Sequence, residues 1–129
     1  MERNRKYYNL IMKEELSAIK ELIATYQASA YKSLGIICKT ESQAYEMAEK
    51  LQIPDIHFLS NQSSAFVQGI VITSAHMAKG LEFDEVIIPQ VDDKNYHSEI
   101  DQSMLYVAVT RAMHRLTLTY SGTKHTPFI

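Results

Sequence analysis

At 129 residues, with 46% apolar and 22% charged side chains, the chain has the make-up of one globular domain, large enough to bury a core without disulfides or metals. A formal net charge of -2, with seven acids against five Lys and Arg in the last sixty residues, gives a stand-alone nucleic-acid binder no support from bulk charge and leaves open only a local contact surface. The single cysteine, Cys38, excludes an internal disulfide. No stretch approaches the ~20 apolar residues of a membrane span and no signal-peptide core is present, so a cytoplasmic, reducing compartment is expected.

In chain order, Met1 to Asn9 is polar and basic with no period, and reads as an arm or a fragment boundary. From about Leu10 to Ala30, Met12, Leu16, Ile19, Ile23 and Tyr26 recur at helical spacing, which predicts an amphipathic helix packed on a sheet. Ser33–Cys38 is a short apolar run with β-branched residues, a buried strand. Cys38 inside it has no base nearby in sequence and reads as an inert buried thiol. Thr40 and Gln43 form a capping-box pattern, in which hydroxyl and amide satisfy two free backbone donors. The helix they start presents Ala44, Met47, Ala48 and Leu51 to a core and ends at Pro54.

Ile56–Leu59 is a weak strand, Ser60 to Ser64 a polar loop, and Phe66 to Thr73 a strand in which Gly69 marks a bulge or the true start. Glu85–Val91 is a further strand, with Pro89 near its end, and Asp92 to His97 is turn-like. Glu99 to Arg115 is two-sided. Its Val107, Val109 and Thr110 suit a strand. The helical spacing of Ile100, Met104, Val107 and Ala108, with a cap at Ser98 and Asp101, favours a helix. Leu116–Tyr120 alternates as a strand, and the last nine residues read as a tail. Strands alternating with helices predict a parallel sheet covered on both faces.

The connection between the buried runs Ile70–Thr73 and Val86–Ile88 concentrates the chemistry: Ser74 to Asp84 reads S-A-H-M-A-K-G-L-E-F-D. Polar groups at the end of a buried strand are where α/β proteins place ligands. What is missing is equally informative. The four glycines, at 35, 69, 80 and 122, form no G-x-x-x-x-G-K-[ST] phosphate loop. There is no paired acidic motif for magnesium, no G-x-S-x-G elbow, and no metal spacing among the five histidines and one cysteine. Each remaining residue of interest has an ordinary structural reading and a functional one. Arg111, between an apolar helix and a strand, is a surface or ion-paired arginine, or it forks onto a phosphate. Glu82 caps an amide, pairs with a lysine, or accepts from a ribose hydroxyl. His76 is a satisfied histidine or a phosphate donor, and Gly80 supplies a positive φ or a close backbone approach.

Taken together, Ser74 to Asp84 resembles motif V of superfamily 1 DNA helicases of the UvrD/Rep type, whose pattern is roughly T-x-H-x-A-K-G-L-E-F-x-x-V, with Val86 also fitting. Leu105 to Ala112 (L-Y-V-A-V-T-R-A) resembles motif VI of the same family, in the same order along the chain. The likeness runs over about residues 33 to 121, and Ile36–Gln43 is similar to the strand and helix preceding motif V.

The resemblance implies a RecA-like three-layer α/β/α domain with a mainly parallel sheet, the second of two motor domains. It implies ATP with Mg2+ held mainly by an N-terminal RecA-like domain, and single-stranded DNA as partner, with no membrane. By that likeness Arg111 is an arginine finger on the γ-phosphate, and Glu82 and Gly80 lie at the nucleotide. Ser74 and His76 contact the DNA backbone, with Lys79 linking the two sites.

Residues 1–32 are then an arm and helix, and 33–129 the motor domain, within one fragment of a larger protein. Ser74 departs mildly from the family's Thr, and only about thirty residues separate Gln43 from motif V, where family members insert an accessory domain. That compactness keeps a second expectation alive: an ATPase subdomain that remodels a protein partner such as RNA polymerase.

Overall fold

A computed structural model describes residues 4–10, 12–60, 68–122 and 124–129, with side chains from Glu14 onward. The described residues form six strands and three helices in the order β1 (Asn4–Leu10), α1 (Met12–Gln27), β2 (Ser33–Cys38), α2 (Glu41–Leu51), β3 (Ile56–Phe58), β4 (Gly69–Ser74), β5 (Phe83–Ile88), α3 (Glu99–Val109) and β6 (Ala112–Ser121). The strands form one sheet in the order β1-β6-β5-β2-β4-β3, and every pairing is parallel. The polar loop expected at Ser60 to Ser64 lies mostly outside the described residues.

Period-2 alternation divides the core into two layers. Leu34, Ile36 and Cys38 of β2, Ile70 and Ile72 of β4 and Ile87 of β5 pack under α1 and α2, against Ile19, Ile23, Tyr26, Ala44, Met47 and Leu51. Ile37, Val71, Val86 and Ile88 face the other way, with Leu116, Leu118 and Tyr120 of β6. That second face is covered by Leu105 and Ala108 of α3 and by Ala75 and Ala78 of the β4–β5 connection. The fold is therefore the expected three-layer α/β/α arrangement.

Both caps form as their sequences predict. Thr40 and Gln43 exchange side-chain and backbone hydrogen bonds ahead of α2, and Ser98 and Asp101 do the same ahead of α3. The cap at Ser98 resolves the two readings of 99–115: the segment is helical to Val109, then turns and enters β6 at Ala112. Gly69 is the strand start rather than a bulge, at φ +80. Gly35 is required for space: a Cβ there would lie 2.6 Å from the ring of Phe83. Burial pushes the Cys38 thiol up to about 12, with the Glu15 carboxylate adding to it, in line with an inert thiol.

Two features differ from the sequence reading, and a third, a buried acid, was not anticipated by it. Asn4–Leu10 is not an arm apart from the domain: its backbone pairs along its whole length with β6 as an edge strand. Glu15, on the buried side of α1, accepts from the Gln90 amide at 2.8 Å and the Thr119 hydroxyl at 2.7 Å, which compensates a carboxylate that is 5% exposed. The segment expected as a tail docks: Thr126 is buried and donates to the Tyr96 carbonyl, and His125 forms a bridge with Asp92.

Candidate nucleotide and nucleic-acid interface

β4 and β5 run parallel on either side of β2, so residues 75–82 must return from the C-terminal edge of the sheet to its N-terminal edge. Eight residues are too few for a full crossover helix. The chain instead folds into consecutive turns. The Ala75 amide bonds the Cys38 carbonyl at 2.9 Å, Ala78 bonds Ser74 at 3.0 Å, and Leu81 bonds Ala78 at 3.0 Å. Ala75 and Ala78 press onto the sheet, whereas His76, Lys79, Gly80 and Glu82 are exposed. Alanine suits both positions because each is buried against the core that the sheet shares with α3.

Ser74 is buried, and its hydroxyl accepts from the Met77 amide at 3.2 Å, capping the turn that lifts His76 outward. Gly80 sits at φ +81 with nothing within 4 Å of an added Cβ, so its role is conformational rather than steric. His76 and Lys79 stand together on one wall of an open cavity of about 260 Å³. Ile100, Ser103, Met104 and Val107 of α3 form the opposite wall. Ile100 is 73% exposed, an unusual setting for a large apolar side chain on a helix.

The connection ends beside Arg111. The Phe83 amide donates to the Arg111 carbonyl at 2.9 Å, and Phe83 is in register with Ala112. The guanidinium turns back onto the same junction. Its Nε donates to the Val107 carbonyl at 3.2 Å, one Nη to the Leu81 carbonyl at 3.1 Å, and the other Nη to the Thr110 hydroxyl at 3.3 Å. Arg111 thus bonds the residue directly before Glu82, and both belong to the N-terminal edge of β5 and β6. Glu82 is exposed and has no hydrogen bond or ion pair among the described residues. Three of the five guanidinium N–H groups are used, which leaves two for an anion.

At the opposite edge, Lys39 pairs with Asp101 at 2.9 Å and joins the end of β2 to the start of α3. Amide donors from His97 and Ser98 and the Lys39 ammonium hold the Asp101 carboxyl well below the usual carboxylate range. Among the described residues no group of three His, Cys, Asp or Glu could hold a metal ion, and no helix is long and apolar enough to cross a membrane.

The structure therefore brings Arg111 onto the Leu81 carbonyl, between Gly80 and Glu82 in the chain, and places His76 and Lys79 farther back along the same connection. Sequence reasoning missed Thr110 as a partner of Arg111, and it read Asp101 as a capping residue without its pairing to Lys39. The signal for the first was a threonine directly before the arginine at a helix end.

An all-parallel α/β/α domain with an exposed basic turn toward one sheet edge and a braced arginine at the other has the architecture of a helicase motor domain. Residues 55–123, more than half of the chain, match the UvrD-like helicase C-terminal domain, and the chain belongs to that family. It is 28% identical over 107 residues to DNA helicase II of Escherichia coli (strain K12), covering 69% of this chain and 15% of that protein. Over 58 residues it is 41% identical to Gabija protein GajB of Bacillus cereus (strain VD045), covering 45% of this chain and 12% of that one. The chain thus spans about 15% of the length of the DNA helicase II it matches. The solved C-terminal domain of a possible DNA helicase from Lactobacillus plantarum WCFS1 shares the fold, with a TM-score of 0.79 at 24% identity, covering 98% of this chain and 77% of that one.

Proposed function

We propose that the chain is the C-terminal motor half of an ATP-dependent DNA helicase or translocase, and that it works against a first motor domain that holds most of the ATP. The observation that carries this is the pairing of Arg111 with the Leu81–Glu82 junction. A braced guanidinium with two N–H groups to spare bonds the carbonyl directly before Glu82, whose carboxylate is exposed and has no partner among the described residues. That is the donor and acceptor set a nucleoside triphosphate requires at its phosphates and its ribose hydroxyls. Arg111 faces the γ-phosphate and stabilises charge that grows there in the transition state. Glu82 accepts from the ribose, and Gly80 lets the backbone come close. Mg2+, held by the first domain, would neutralise charge on the phosphate oxygens. His76 and Lys79 hold the backbone of single-stranded DNA, with Ser74 fixing the turn beneath them. These contacts carry little sequence preference.

On this reading the isolated chain binds ATP weakly and hydrolyses none. Joined to its ATP-binding domain, it supports ATP turnover that rises with single-stranded DNA. Turnover indifferent to DNA would remove the motor reading. One observation favours a second reading, the remodelling of a protein partner such as RNA polymerase. Only residues 59–68 separate β3 from β4, so this chain carries no accessory domain at that point. Strand displacement by the full protein separates the two: a motor that turns over ATP on DNA without displacing a strand supports the remodelling role.

A further inference from the structure

We propose that Thr110 is the positioning residue for Arg111. The proposal rests on the reading of Arg111 as the phosphate-facing group and goes beyond it, because it names the side chain that holds the guanidinium in place. α3 closes at Thr110, whose amide reaches the Tyr106 and Ala108 carbonyls at φ -77, ψ -4. Its hydroxyl donates to the Val107 carbonyl at 2.9 Å. That carbonyl also accepts Arg111 Nε at 3.2 Å. The hydroxyl proton is thereby committed to the helix end, so the oxygen offers its lone pairs to Arg111 Nη at 3.3 Å. The Leu81 carbonyl holds the other Nη at 3.1 Å.

The guanidinium is clasped on three sides. One N–H remains on each terminal nitrogen, which is the pair that forks onto a phosphate. An unclasped arginine at a sheet edge samples many rotamers, and each excursion takes the fork away from the reacting oxygen. Only the hydroxyl makes this arrangement polar in the required sense, since it donates to the helix and accepts from the arginine. Valine has the same shape and can do neither. Serine can do both.

The test compares Thr110→Val with Thr110→Ser. In this chain, 15N NMR of the Arg111 guanidinium should show slowed rotation of its Nη groups in the wild type and in Thr110→Ser, and fast rotation in Thr110→Val. In the chain joined to its ATP-binding domain, Thr110→Val should lower kcat by roughly 10- to 100-fold, the size expected when a catalytic group is misplaced by about 1 Å. KM for ATP should stay within about twofold, because the loss is confined to the transition state. Thr110→Ser should recover most of kcat.

Wild-type Nη rotation and wild-type kcat in Thr110→Val would overturn the proposal. So would loosened rotation with unchanged kcat, which would make the clasp structural only. If Thr110→Val does not fold, Thr110→Ala is read by the same criteria. Arg111→Ala separates the two levels: unchanged kcat in that variant removes the reading of Arg111 itself, whereas a large loss there with none in Thr110→Val removes Thr110 alone.

Discussion

The two ends of the 75–82 connection are built differently. At the Glu82 end, backbone and side chain lock together: Phe83 bonds Arg111, Arg111 bonds Leu81 and Val107, and Thr110 closes the ring. At the His76 end, the backbone is tied down through Ser74 and Cys38, but the His76 and Lys79 side chains stand free in solvent beside α3. The contrast matches the chemistry proposed for each. A transition-state contact gains from being fixed before the reaction, since reorganisation at that moment adds to the barrier. Contacts to a moving nucleic-acid backbone gain from adaptable side chains that bind through charge.

The sharpest way to break this contrast is at Arg111. In the joined protein, Arg111→Ala should cut ATP turnover by roughly 10³-fold or more, with nucleotide binding nearly unchanged. Steady-state kinetics beside equilibrium ATP binding checks it, and equal losses in both would demote Arg111 to a binding residue.

Next in size is the support beneath the braced end. Gly35→Ala drives a Cβ into the Phe83 ring. It should destabilise this chain by about 1–3 kcal/mol in urea unfolding, the usual cost of overpacking. Gly80→Ala meets no atoms but keeps φ +81, so its cost should be nearer 1 kcal/mol. Equal effects would mean that Phe83 is free to move.

The adaptable end should give smaller changes. His76→Ala should weaken binding of an oligo-dT strand severalfold. Lys79→Ala should lower the slope of log affinity against log salt by about 0.7, one phosphate contact. Unchanged affinity at matched salt in both variants would take the turn out of the DNA path.

The smallest effect is set by pH. Asp101 has its carboxyl depressed in the fold, so the stability it adds is present above the unfolded carboxylate value of about 3.9 and is lost as pH falls through the lower folded value. Asp101→Asn should therefore melt below the wild type at pH 7, and the gap should close as the solution is acidified below about pH 4. A gap constant with pH would show that the Lys39–Asp101 pair and the cap do not carry it.

Much of this was legible in the sequence, for physical reasons. Capping boxes at Thr40/Gln43 and Ser98/Asp101 are local, so four residues contain the whole interaction. Buried strands such as Ser33–Cys38 announce themselves because both faces are covered. The meeting of Arg111 with the Leu81–Glu82 peptide could be expected only through the family resemblance. It arises in three dimensions from the register of Phe83 with Ala112. The clasp on Arg111 was out of reach, because two of its three acceptors are backbone carbonyls, which every residue type supplies alike. Glu15 was hidden for a related reason: a buried acid looks like a surface acid until its donors, Gln90 and Thr119, arrive from distant parts of the chain.

The most direct test of the account is the affinity of the joined protein for ADP with and without aluminium fluoride, a mimic of the phosphoryl group in flight. The wild type should bind the pair far more tightly than ADP alone, and Arg111→Ala should lose that gain while keeping its affinity for ADP. An equal gain in the variant would mean that the guanidinium does not touch the transferring phosphate.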